Sequence, residues 1–99
     1  VNTSININQA TTQMEITKQI NVYTRWMPNG ELILSDRQEQ IIRLICDGVR
    51  GNVIASRLGL AVKTVENHRN NITMKLRSQG VDGTATMVKW AIVTGTYQL

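Results

Sequence analysis

Three asparagines, Asn67, Asn70 and Asn71, stand with Lys63 and Glu66 in the stretch VKTVENHRNNITMKL that runs from Val62 to Leu76. An asparagine amide can pair with the N6 and N7 edge of adenine, and a glutamate can accept from cytosine N4. A helix that merely faces solvent is better served by Lys, Glu and Gln, because asparagine lowers helix propensity. A face that gives up helix stability for amides therefore points to a ligand with donors and acceptors along its edge, and base pairs in the major groove are such a ligand.

Charge supports the same ligand class. The chain has 99 residues and a net charge of +4. Between Arg50 and Arg77 six basic residues oppose Glu66 alone, a local net of +5, which leaves −1 for everything else. A basic segment on a near-neutral chain is the footprint of a polyanion-binding surface, since Lys and Arg gain by displacing counterions from phosphates. Other chemistry is poorly served. Cys46 is the only cysteine and lies in an apolar stripe, where a buried, inert thiol is expected. His68 is the only histidine and has no cysteine spaced to join it in a metal site. It also lacks a nucleophile partner, and no phosphate-cradling glycine loop occurs, so an enzyme is not expected and no cofactor is implied.

These side chains need a rod to carry them. At about 100° per residue, Val65, Ile72 and Leu76 fall on one face and predict the seat of a helix on the core. The opposite face presents Lys63, Glu66, Asn67, Asn70, Asn71 and Met74, with Thr64 at its edge and His68 and Arg69 on the two borders. Base contact is accordingly expected from Glu66, Asn67 and Asn70. Phosphate contact is expected from Lys63, Thr64, His68, Arg69 and Lys75, with packing and a local hydrogen bond as the alternative role for His68.

The rod is the third of four predicted helices. Ser35 with Gln38 three residues on has the form of a capping box, and Ile41, Ile42, Leu44 and Ile45 give an apolar stripe ending at Gly48. A short second helix, Asn52 to Leu58, turns Val53, Ile54, Ala55 and Leu58 inward and stops at Gly59. Only Leu60 and Ala61 separate it from the third, which runs from Val62 to about Ser78, so the pair reads as a helix-turn-helix. A fourth helix is predicted from Asp82 to Thr84 onward, capped by one of those two residues. Its inward residues are Ala85, Val88, Ala91 and Ile92, and it ends at Gly95.

Upstream, the alternation of Met14, Ile16, Ile20, Val22 and Trp26 with polar residues is strand-like. With the turn chemistry of Pro28-Asn29-Gly30 before Leu32-Ile33-Leu34 it suggests a β-hairpin. Ile16, Ile20, Tyr23 and Met27 fit a helix as an alternative, and residues 1–12 read as a mobile arm. The predicted organisation is an N-terminal extension over 1–33 and one mainly α domain over 34–99.

Laid out this way, Leu34 to about Ala91 resembles the LuxR (GerE-like) DNA-binding domain. The matching pieces are Leu-Ser-Asp-Arg at 34–37, Ile-Arg-Leu-Ile-Cys-Asp-Gly at 42–48, Ile-Ala-Ser-Arg-Leu-Gly-Leu at 54–60 and VKTVENHRNNITMKL at 62–76. The resemblance implies a four-helix transcription regulator that reads double-stranded DNA through its third helix and uses its fourth to help form a dimer. By position it puts base contacts on Glu66, Asn67 and Asn70, with Lys63, Thr64 and Arg69 near phosphates. The chain departs from the family pattern in four places. Arg50-Gly51-Asn52-Val53 stands where Ser-Asn-Lys-Glu is usual, and Ala61 replaces a serine cap, at a cost of about 1 kcal/mol. Arg77 to Gly80 lengthens the last connection, and Thr84 replaces a frequent arginine.

A cytoplasmic protein is expected, with no signal peptide and no apolar run long enough for a membrane span. Double-stranded DNA and a second copy of the chain are the expected partners, and RNA polymerase is a further candidate. Two rival readings are a sigma-factor-like promoter-reading domain and a protein-interaction module on the same scaffold.

Overall fold

The computed structural model describes residues 23–99. The expectations for an arm over 1–12, and for strand or helix before Tyr23, lie outside the described residues.

Among the described residues four helices follow one another: α1 (Asp36–Cys46), α2 (Gly51–Leu58), α3 (Val62–Leu76) and α4 (Thr84–Thr94), with a 3-10 turn at Arg77–Gln79 joining the last two. The expected mainly α, four-helix architecture is what forms. α1 starts with a complete capping box. The Ser35 hydroxyl accepts from the Gln38 amide N–H at 3.1 Å, and Gln38 Oε1 accepts from the Ser35 N–H at 3.1 Å. Asp36 and Glu39 in the first turn complement the helix dipole. Ile41, Ile42 and Ile45 bury the inner face of α1.

α2 and α3 form the helix-turn-helix. Gly59, at φ +67°, takes the left-handed conformation that ends α2, and Leu60 and Ala61 lead straight into α3. Ile54 and Ala55 are buried, with Leu58 packed against the core. Val53 is 37% exposed, contrary to its expected inward position. At 100° per residue it stands roughly 150° from the mean direction of the other three, so it cannot share their face. The α-helical part of α3 ends at Leu76, and the 3-10 turn carries the chain on past Ser78 to Gln79.

α4 is rotated relative to the prediction. Met87, Trp90 and Ala91 are its buried residues, whereas Ala85 is exposed, Val88 half-buried and Ile92 39% exposed. Nearly every position of this helix is apolar or small, so the pattern holds no phase, and the largest side chain, Trp90, fixes it by going to the centre. The start also differs, because neither Asp82 nor Thr84 occupies the capping position, which falls to Gly83. Thr86 closes the helix end from within. Its hydroxyl accepts from the N–H groups of Asp82 and Gly83 at 2.9 and 3.2 Å and lies 3.0 Å from Asp82 Oδ1, to which it can donate.

Residues 23–34 strap onto this body. Pro28-Asn29-Gly30 makes the expected turn, but the flanking chain pairs through a single antiparallel bridge, Trp26 to Leu32, and no strand develops among the described residues. Two side-chain clasps hold the strap. Arg25 donates to both oxygens of Glu39, at 2.9 and 2.8 Å, and Glu39 is only 4% exposed. The buried Gln79 takes the Thr24 N–H on Oε1 at 2.8 Å and returns a bond from Nε2 to the Thr24 carbonyl at 3.1 Å. The same Oε1 accepts from Trp90 Nε1 at 2.9 Å, so one amide joins the strap, the 3-10 turn and α4. Cys46 is half-buried rather than fully buried, because it lies at the end of α1 beside exposed Asp47. Burial still pushes its thiol up, which keeps it protonated and unreactive.

Candidate nucleic-acid interface

α3 is held from one side only. Val65, Ile72 and Leu76 are completely buried against the core, and the other side of the helix faces solvent. Because a helix is rigid over four turns, anchoring these three fixes the direction of every residue opposite them. Asn67, Asn70 and Asn71 are all exposed, and Met74 is 66% exposed among them. Glu66 is exposed at one edge and pairs with Lys63 at 3.7 Å. An exposed pair at this spacing contributes only a few tenths of a kcal/mol, about 0.3–0.5, so either partner can turn to another ligand at little cost.

The expected phosphate residues divide between two flanks. Thr64 and His68 are half-buried along the border opposite Arg69, and Lys75 lies on their side, with its ammonium 2.7 Å from Gln38 Oε1 at the start of α1. His68 Nδ1 is buried with no hydrogen-bond partner. An orphaned buried N–H is rarer than an orphaned lone pair, so in the neutral ring the proton belongs on Nε2. Arg69 is half-buried on the other flank, where one guanidinium nitrogen donates to Thr84 Oγ1 at 2.8 Å. Lys63 is fully in solvent near the N-terminus of α3. The eight residues singled out in the sequence thus share one helix but do not form one cluster. Three face outward as a strip with Lys63 at its N-terminal end, and Arg69 and Lys75 flank that strip.

Sequence reasoning missed Gln38 as the partner of Lys75 and Thr84 as the partner of Arg69. Gln38 belongs to the capping box, and its carbonyl oxygen serves both Ser35 and Lys75. Thr84 reads in the sequence as a helix cap and as a departure from the family's arginine, neither of which points to Arg69.

Neither α2 nor α3 has a side-chain cap, since Arg50 and Ala61 occupy those positions without a bond to the first turn. Among the described residues no cluster of His, Cys, Asp or Glu is arranged to hold a metal.

Comparison with known proteins agrees with this architecture. The family model for bacterial regulatory proteins of the luxR family matches residues 32–88, from the end of the strap into α4. Over 62 residues the chain is 39% identical to the uncharacterized response regulatory protein YgeK of Escherichia coli (strain K12). That alignment covers 62% of this chain and 42% of the relative, so the chain matches about two-fifths of that protein's length. No solved structure matches the chain. With more than half of its residues inside the family match, and the helix-turn-helix at the centre of it, the chain belongs to the luxR family of bacterial regulatory proteins.

Proposed function

We propose that this chain is a sequence-specific, double-stranded DNA-binding regulator of transcription that works in the cytoplasm and inserts α3 into the major groove. In this reading Asn67 and Asn70 form paired hydrogen bonds with adenine edges and Glu66 accepts from cytosine. Lys63, Thr64, His68, Arg69 and Lys75 set the helix in register through phosphates. The binding unit spans residues 34–99, and residues 1–33 are an extension to it.

One observation carries the reading: the amides of Asn67 and Asn70 are exposed on a helix whose opposite side is completely buried. Residues placed there for helix stability would be poor choices. A homodimer fits the same picture, because Ile92 and Val93 leave apolar surface on α4 at 39% and 58% exposure, free for a second copy. A two-fold dimer would read inverted half-sites about one helical turn apart.

Selection of bound duplexes from a random pool, repeated at two salt concentrations, tests the proposal. An enriched motif is expected, and Asn67→Ala should flatten it while leaving most of the non-specific affinity. Arg69→Ala should weaken binding to every duplex. Recovery of no motif from the pool, with binding equal on all sequences, would remove sequence-specific recognition.

A further inference from the structure

Between the C-terminal half of α3 and the start of α4 lies an open cleft of about 510 Å³, crossed by the Arg69–Thr84 hydrogen bond. Arg69 and Arg77 line it, together with Asp82, Thr84, Met74 and Met87. We infer that this cleft seats a phosphate of the DNA backbone between the guanidinium groups of Arg69 and Arg77, with Arg77 as a DNA contact in its own right. The inference rests on the DNA-binding reading and specifies how one flank of the helix meets the duplex.

Three features carry it. First, the two arginines stand on one side of the same rod. Residues 69 and 77 are eight apart, a little over two turns, and exposed Met74 lies between them and Asn67 of the outward strip. A duplex whose base edges reach Asn67 and Asn70 must pass a sugar–phosphate rail along a border of that strip, and Arg69 and Arg77 stand on one border, with Glu66 at its N-terminal end held by Lys63. Second, both guanidinium groups have donors to spare. Arg69 uses one nitrogen on Thr84 Oγ1 at 2.8 Å, which steadies the fork at the cleft and leaves its remaining N–H groups. Arg77 is exposed in the 3-10 turn, and among the described residues no carboxylate lies within ion-pair distance of it. Planar forks of this kind match phosphate oxygens in pairs. Third, the cleft is not uniformly polar. Met74, 66% exposed, lines it and gives apolar surface to the sugar adjoining a seated phosphate.

Asp82 is the opposing charge. Its Oδ1 lies 3.0 Å from the Thr86 hydroxyl, and one carboxylate against two guanidinium groups leaves the cleft net positive. Asp82 therefore weakens phosphate binding without abolishing it, which supplies a test of opposite sign.

The experiment is a titration of the whole chain with a short random-sequence duplex across a series of salt concentrations, read by fluorescence anisotropy. Arg77→Ala should reduce the slope of log affinity against log salt by about 0.9, the value of one lost phosphate contact. It should weaken specific and random duplexes alike. Arg77→Lys should retain the slope, and Asp82→Asn, which keeps an oxygen for Thr86, should tighten binding to both duplexes. Thermal midpoints equal to wild type establish that the folds compared are the same. An unchanged slope in Arg77→Ala, or no tightening in Asp82→Asn, while the wild-type chain binds with a clear salt dependence, would overturn the cleft and leave the DNA reading standing. A wild-type chain with no salt-dependent binding to any duplex would remove both.

Discussion

The outer pair of helices, α1 and α4, and the inner pair, α2 and α3, solve the same problem in opposite ways. α1 satisfies its first turn with the Ser35 hydroxyl, and at α4 the Thr86 hydroxyl ties down the Asp82 and Gly83 N–H groups just ahead of the helix. α2 and α3 begin at Arg50 and Ala61 with no side-chain bond. Trp90 and the Arg25–Glu39 clasp also belong to the outer pair. Local stability is therefore concentrated in the helices that make the frame. The helix-turn-helix is held by burial of Ile54, Val65, Ile72 and Leu76, not by its own ends. Its surface is left to be chosen for something other than stability.

Removing the centre of the frame should do the most damage to that division. Trp90→Ala empties the largest fully buried side chain and orphans the Gln79 bond, so a loss of roughly 3–5 kcal/mol is expected in urea unfolding. A loss below about 1 kcal/mol would mean that the inner pair stands without the frame. The next effect depends on pH. The Arg25 guanidinium holds the Glu39 carboxyl below the usual carboxylate range against the opposing pull of burial. A carboxyl depressed on folding contributes stability that is fully present above its unfolded pKa, near 4.5, and is lost as pH falls through the lower folded value. Midpoints measured between neutral and acid pH should fall more steeply in the wild type than in Glu39→Gln, which begins lower at neutral pH. Parallel curves would show that the clasp is not tuned by charge.

Two smaller changes exchange the properties of the pairs. Ser35→Ala should cost about 1 kcal/mol by removing the cap of α1. Ala61→Ser should add up to about 1 kcal/mol by giving α3 the cap it lacks. If Ala61→Ser leaves the thermal midpoint where it was, the bare end of α3 is already satisfied by other means and the two pairs do not differ at their N-termini.

The inner pair was the more legible half in the sequence. Val65, Ile72 and Leu76 are well separated by polar residues, so one helical wheel sorts buried from exposed without ambiguity. The capping box and Gly59 were equally plain, because their chemistry is local. α4 was not legible in phase, since an apolar run offers several equivalent stripes and only three-dimensional packing selects the one containing Trp90. Val53 is apolar but stands opposite Ile54, Ala55 and Leu58 on the wheel, so its type misleads where its angle does not. The interface residues were legible as types on a face. Their partners Gln38 and Thr84 were not, because each lies on another helix, and no spacing rule connects positions 37 or 15 residues apart.

The double bond between Thr24 and Gln79 spans 55 residues, and this has a bearing on how the molecule is made. During synthesis the strap emerges from the ribosome long before the glutamine that receives it. α1, α2 and α3 can assemble on local contacts, while closure at Thr24 waits for a distant arrival and comes late in maturation. A chain begun at residue 32, where the family match starts, would carry every helix and still lack this clasp. Its Gln79 would then face Trp90 with two of its three hydrogen bonds undone.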